Sequence, residues 1–340
     1  MGLVRAPSPL PAELMADART QEGLVTRAQL HAAGVTTSRI SRAVRDGRIT
    51  RVVDSVYDLL SPPFPERTID PDRRRDDLFA HRRRRPAWYG LLVHGPSAVA
   101  VGQSALVLLG VQGLPLDPLV EVTRLDRRER VVRPGVQLRR YEEARSYVDV
   151  GDRLAVPVDL ALAQAVPYLD RRHAVAVMDS ALHRQLLTPD GLDLAHDLAR
   201  GRRGVERTQD WWDLADGGGE SPAETVARLS CLDEGVPPDA LQLRLVTRDG
   251  ARFRADLAWW LGDGRWLLVE VDGHDEHSTP EALFRDRRRQ NHLVGAGHVV
   301  LRYSGSDAWS GVVGPQIADR LRAARWRPGR PVPRGPIQLG

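Results

Sequence analysis

Arg254-Ala255-Asp256-Leu257-Ala258-Trp259-Trp260-Leu261-Gly262-Asp263-Gly264-Arg265-Trp266-Leu267-Leu268-Val269-Glu270-Val271-Asp272 reads as two β-strands around one hairpin loop. A loop Leu261–Arg265 that is symmetric about Asp263 sets Asp256 opposite Glu270, and Arg254 opposite Asp272. Period-2 alternation puts Phe253, Ala255, Leu257 and Trp259 on one face and Asp256 on the other. On the partner strand Leu268, Glu270 and Asp272 share a face opposite Leu267, Val269 and Val271. Directly opposed side chains have Cβ atoms about 4.5–5.5 Å apart. Two carboxylates so placed repel each other unless a cation or a proton lies between them. A Mg2+ or Mn2+ ion held by Asp256 and Glu270, keeping several waters, suits such a site. It would polarise a phosphoryl oxygen and lower the pKa of a bound water. The plain alternative is a surface hairpin with an Arg254–Asp272 pair and solvated carboxylates. Glu270 speaks against it, because it sits inside the apolar run Trp266 to Val271. A one-residue slip in the turn would move the two acids to opposite faces.

Working outward, Ser221-Pro222-Ala223-Glu224 opens a helix to about Glu234, with Pro222 at its first position. Strands follow at Leu241–Thr247, Arg252–Trp260 and Trp266–Asp272, then a helix from Thr279-Pro280. A last strand covers His298–Ser304, before a final helix near Pro315–Arg325. The order αβββαβ over 220–326, with these acids in place, resembles the PD-(D/E)XK nuclease superfamily and, within it, a bacterial family related to very-short-patch repair endonucleases. The residues that carry the resemblance are Ser221 to Glu224, Gln242, Arg254 to Trp259, Val269 to Gly273, His277, Arg285 to Arg288, Leu293, Gly297 and Val300 to Tyr303.

The resemblance implies a restriction-endonuclease-like fold, with Asp256 and Glu270 as metal ligands and Glu224 as an accessory acid. Ser221-x-x-Glu224 is also a capping box, so the Glu224 side chain has two competing jobs. The superfamily's lysine falls where Asp272 stands. Either Asp272 is a further ligand, or Arg254, Gln242 or Arg285 supplies the missing function, or the domain is inactive. His277 would orient water or be a loop histidine with no role, while Arg285 and Arg288 give their helix a basic surface suited to DNA phosphates.

At the other end, residues 1–60 read as three short helices and a hairpin. Pro11–Thr20 is the first helix, and Thr26 with Gln29 makes a capping box for a second that stops at Gly34. A third runs from Ser38 to Asp46 with Gly47 as its stop, and β-branched runs flank Asp54-Ser55. That is the order of a winged helix-turn-helix. Arg39, Arg42, Arg45, Arg48 and Arg51 recur every third residue, opposed by Asp46, as a recognition helix and wing base would need for phosphates and guanine edges. Residues 14–60, through Glu22 to Leu30, Gly34-Val35 and Val52 to Tyr57, resemble the winged-helix domain of AbiEi-type antitoxins of type IV toxin–antitoxin systems. This implies a DNA-binding autorepressor with a cognate toxin as partner.

Between them, 61–86 reads as a proline- and arginine-rich linker and 87–215 as an α+β middle domain resembling the other half of the same antitoxin family. Its helices are expected at Pro96–Gly110, Val158–Val166, His173–Leu187 and Leu192–Arg200, with strands at Leu119–Leu125 and Val136–Tyr141. Residues 327–340 carry four prolines and read as a disordered tail.

The whole is a 340-residue α/β multidomain chain with 42% hydrophobic and 28% charged residues, which excludes collagen-like and wholly disordered classes. Net charge is +4, and every one of the 49 basic residues is arginine, so no lysine is present as a base or Schiff-base nucleophile. The lone Cys231 excludes an intrachain disulfide and a cysteine zinc site, and reads as a core thiol. The sequence carries no apolar run long enough for a membrane span and no signal-peptide core, so a cytoplasmic protein is expected. The sequence thus favours a DNA-binding, Mg2+-dependent endonuclease. Its alternatives are an AbiEi-like transcriptional regulator on an inactive nuclease fold, and a fused toxin–antitoxin pair.

Overall fold

The computed structural model describes residues 9–60, 75–126, 133–141, 146–247, 252–272, 297–333 and 337–339. The fold is mixed α/β and divides into two compact units: residues 1–110 with 115–165, and residues 111–114 with 166–340. The stretch 87–215, which reads as one domain, is shared between them. Among the described residues no helix is long and apolar enough to cross a membrane.

The first unit opens with α1 (Ala12–Thr20), β1 (Leu24–Thr26), α2 (Arg27–Ala32), α3 (Thr37–Arg45), β2 (Thr50–Val53) and β3 (Val56–Asp58). This order is consistent with a winged helix. Thr26 caps α2 in a complete capping box with Gln29, and Thr36 caps α3. Gly34 and Gly47 end these helices at φ +74° and +67°, where a side chain would be strained. The sequence reading missed β1, three residues that pair with β3 and make the sheet order β1-β3-β2. Leu14, Ala18, Val25, Leu30, Ile40, Ala43 and Tyr57 fill the core beneath.

The linker expected over 61–86 is helical from Arg75, where α4 (Arg75–His94) begins and runs through Pro86. Ala87, Trp88, Leu91 and Leu92 are buried, so an apolar face holds the helix in spite of the proline and the arginine run. The helix expected at Pro96–Gly110 starts as a strand, β4 (Ala98–Ala100), and only then becomes α5 (Gly102–Leu108). A tertiary contact marks the change. Gly102 takes φ +51°, and a Cβ there would collide with the Glu121 carboxylate, which accepts the Gln103 amide at 3.0 Å. β5 (Glu121–Arg124), β6 (Gln137–Leu138), β7 (Val148–Val150) and β8 (Arg153–Ala155) complete a sheet of order β6-β5-β4-β8-β7, before α6 (Val158–Ala165).

The second unit contains α7 (Arg171–His183), α8 (Pro189–Ala199), α9 (Gln209–Trp212), α10 (Pro222–Asp233), β9 (Ala240–Thr247), β10 (Arg252–Gly262) and β11 (Arg265–Asp272). After residues 273–296, which lie outside the described residues together with the helix expected from Thr279, come β12 (Val299–Ser304), α11 (Gly305–Ser310), α12 (Val313–Ala323) and β13 (Ile337–Leu339). The sheet order is β12-β11-β10-β9-β13, with β12 parallel to β11 and β13 parallel to β9. Within 327–340, where disorder is expected, the described residues hold a strand and a side-chain contact. β13 closes the β9 edge, and Arg330 donates to the Leu261 carbonyl at 2.7 Å.

One face of this sheet, with Leu257, Trp259, Leu267 and Val269, packs with Ala227 and Cys231 of α10 and with Val313, Ile317 and Leu321 of α12. A close approach of α10 to α12 fixes that layer: the Gly314 amide donates to Ser230 Oγ at 3.1 Å, and an added Cβ would run into the Ser230 carbonyl. Gly314→Ala is expected to cost about 1–3 kcal/mol by overpacking. Urea unfolding checks this, with a shifted midpoint and an unchanged slope.

Candidate functional site

The β10–β11 ribbon turns through Asp263-Gly264, both at positive φ, as a two-residue hairpin loop requires. The loop is shorter than Leu261–Arg265, and Gly262 pairs with Arg265. A shift between Trp260 and Gly262 then absorbs one residue, so Trp260 to Leu257 pair with Trp266 to Val269 in the register read from the sequence. Beyond that point Asp256 Oδ2 accepts the Val271 amide at 2.7 Å.

The expected alternation of β10 is corrected at the same place. Leu257 and Trp259 face the α10 layer, whereas Phe253 and Ala255 pack on the opposite cluster with Ala258, Trp266 and Leu268. On β9, Gln242 stands at φ +50° between Leu241, paired with Leu257, and Leu243, paired with Ala255. That break resets the pleat of both strands at the level of Asp256.

Gln242 is brought into the site by this turn. Its Nε2 donates to Glu224 Oε2 at 2.7 Å and to Asp256 Oδ1 at 3.3 Å, while its own Oε1 is buried with no partner among the described residues. The two jobs open to Glu224 are resolved. Ser221 Oγ accepts the Glu224 amide as a helix cap, and the Glu224 carboxylate turns to the Glu220 amide at 2.9 Å and to Gln242. Glu270 lies in register with Arg302 of β12 and pairs with it at 2.9 Å. The sequence reading names Arg302 within the resemblance but gives it no role, although its partner was readable once β11 and β12 were set parallel. Arg254 binds Glu220 rather than Asp272, at 2.6 Å for its Nη2. Asp272 is exposed and joins Asp256 and Glu270 on the wall of a cleft of about 750 Å³, with Arg244, Arg252 and Arg254. His277, Arg285 and Arg288 lie outside the described residues.

Burial pushes the Glu224 and Asp256 carboxyls above the ordinary carboxylate range. The Asp256 charge adds to this for Glu224, and the Asp272 charge adds to it for Asp256. Asp256 and Glu270, the acids that would hold the expected divalent ion, are each engaged by neighbours. Both Asp256 oxygens accept hydrogen bonds, Glu270 is charge-paired with Arg302, and among the described residues no three of His, Cys, Asp and Glu converge closely enough to hold an ion.

On the first unit, Arg42 and Arg45 are exposed on α3 and have no partner among the described residues. The rest of the arginine series is engaged. Arg39 donates to the Pro9 carbonyl at 2.7 Å, Arg48 pairs with Asp46 at 3.2 Å, and Arg51 pairs with Asp54 at the hairpin tip. Arg27 of α2 braces that hairpin, donating to the Asp54 carbonyl and to the Tyr57 hydroxyl.

Because the folded pKa of Glu224 is raised, its contribution favours the fold below the unfolded value and is lost as pH rises through the folded one. Glu224→Gln keeps an acceptor for the Gln242 amide and carries no charge. It is expected to gain on the wild-type protein as pH rises from below the carboxylate range to neutrality. Urea midpoints of the two proteins across that range check the sign.

Comparison with known proteins adds two findings. Residues 13–52 match the family of transcriptional regulators described as AbiEi antitoxins. The uncharacterized proteins Rv2248 and MT2308 of two Mycobacterium tuberculosis strains are each 29% identical to this chain over 208 residues, which is 60% of this chain and 75% of each relative. The match covers α1 to α3 and the start of the hairpin.

Proposed function

We propose that this chain is a DNA-binding transcriptional regulator of the antitoxin type, acting in the cytoplasm on its own promoter with a cognate toxin as protein partner. The observation that carries the reading is the pair of exposed guanidiniums on α3, without partners among the described residues, within the stretch that matches the regulator family. Arg42 and Arg45 are three residues apart, so they share one helix face and present two charges to a phosphate backbone or a groove. The hairpin contributes less charge than its sequence suggests, because Asp54 neutralises Arg51. Arg42→Ala is expected to reduce the dependence of log K on log salt by roughly one phosphate contact, about 0.9 in slope. Titration of a labelled duplex from the region upstream of the reading frame measures it, and an unchanged slope removes α3 from the interface.

A second reading, hydrolysis of DNA phosphodiesters with Mg2+ or Mn2+, draws support from Asp256, Glu270 and Asp272 lining one cleft. Among the described residues no three of His, Cys, Asp and Glu converge on one point, so this reading rests on the two acids and the cleft alone. Incubation of plasmid with the full chain and Mn2+ tests this reading. Nicking that both Asp256→Ala and Glu270→Ala abolish would establish it, and plasmid left intact by the wild-type chain would remove it.

A further inference from the structure

We infer that α4 is a latch on the winged helix: through Glu22 and Asp58 it holds the α1–β1 turn, and with it the head that carries Arg42 and Arg45, in the form that binds DNA. The inference rests on the DNA-binding reading above and adds a regulatory contact to it.

The turn between α1 and β1 is a costly piece of chain. Glu22 stands at φ +56°, a left-handed conformation that a glutamate keeps only where its surroundings hold it, and Gly23 follows at φ +92°. Glu22 is also only 5% exposed, so its carboxylate has been taken out of water. Two side chains of α4 meet it there, His81 at Oε2 and Arg84 at Oε1. Arg85 of the same helix donates at 3.0 Å to Oδ2 of Asp58, an acid that is 1% exposed. Both acids belong to the head, and all three of these partners belong to α4.

The backbone joins the two acids. Leu24 pairs with Asp58, and the Leu59 amide donates to the Gly23 carbonyl at 2.9 Å. Gly23 lies so close to Asp58 that an added Cβ would stand 2.6 Å from its Oδ1. From here the hold passes to the elements that read DNA. β1 ends in Thr26, the cap of α2, and Gln29 of that capping box donates to Gln21 Oε1 at 3.4 Å. β3 carries Tyr57, whose hydroxyl accepts from Arg27 beside the hairpin tip. With three residues β1 makes few ladder bonds, so its place depends on what grips its ends.

Taking one partner from a buried pair leaves the other uncompensated and loosens the contact. The latch then sets the fraction of chains whose head is competent, and the apparent affinity falls with that fraction. Such a loss is the same at every salt concentration, because no phosphate contact has been removed. Its sign is also diagnostic. Deleting an acid from a DNA-binding head should by electrostatics alone strengthen attraction to phosphate, whereas release of the latch weakens binding.

The test is fluorescence anisotropy of a labelled upstream duplex with the full chain over a salt series, joined to native-state hydrogen exchange of the same proteins. Glu22→Gln, and His81→Gln on the other side of the contact, are each expected to weaken binding roughly fivefold or more. The slope of log K against log salt is expected to keep its wild-type value, while the amides of Leu24–Thr26 and Leu59 exchange faster. The double variant is expected to bind no more weakly than the weaker single one, as for two ends of one contact. Affinity unchanged or raised in Glu22→Gln overturns the inference and leaves the regulator reading standing. A lowered slope, additive losses, or exchange quickened throughout the first unit overturns it too, because these residues would then contact DNA, act separately or support the fold at large. A wild-type chain that binds no duplex removes the regulator reading and this inference together.

Discussion

The second unit depends on one carboxylate that takes the place of a ladder bond. Where β10 and β11 part, the Val271 amide donates to Asp256 Oδ2. Losing this acceptor would strand a buried amide. The opposite strand answers with Gln242, whose positive φ and two donated bonds hold Glu224 and Asp256 together. A strained, half-buried glutamine between two acids is a place where sequence rules are broken and compensated nearby, as is common at sites with a task beyond folding.

Guanidinium does most of the internal charge compensation in this chain. Arg228 meets Asp179, Arg302 meets Glu270, Arg85 meets Asp58 and Arg139 meets Glu121, each acid being nearly inaccessible to solvent. Desolvation consumes much of the Coulomb gain of such pairs, so they add little net stability. What they do is fix relative positions. Asp179, for instance, also accepts from Thr225 and from the Asp216 amide, and so locks α7 to α10. Glu22 is gripped by His81 and Arg84 in the same manner, which seats α4 against the strands of the winged helix.

Much of this was legible in the residues. Capping signals at Thr26 and Ser221, and the stops at Gly34 and Gly47, gave the helices of both ends, because those effects are local. The ribbon register was read from loop symmetry, and it holds from Trp260 to Leu257 because a bulge near the turn offsets the shorter loop. What the sequence did not reveal came from tertiary contacts. Nothing local marks Leu24–Thr26 as a strand until β3 is beside it, and Gln242 looks like any strand residue until its φ is seen. The helix expected across Ala98–Ala100 failed because three small or β-branched residues pair equally well with β5 and β8. Of the site, Asp256, Glu224 and Gln242 were named through the resemblance, while the ion pair of Arg302 with Glu270 needed the parallel pairing of β12. β13 is of the same kind: proline content argues against a helix or a central strand, yet says nothing against a short edge strand.

Cys231 illustrates how far the packing of α10 reaches. It is fully buried, and its thiol is pushed up to about 12, so in the folded chain it is closed to alkylating and oxidising reagents. With one cysteine in 340 residues, any modification by such a reagent counts openings of the layer between α10, α12 and the sheet, giving the second unit a built-in clock for its own unfolding.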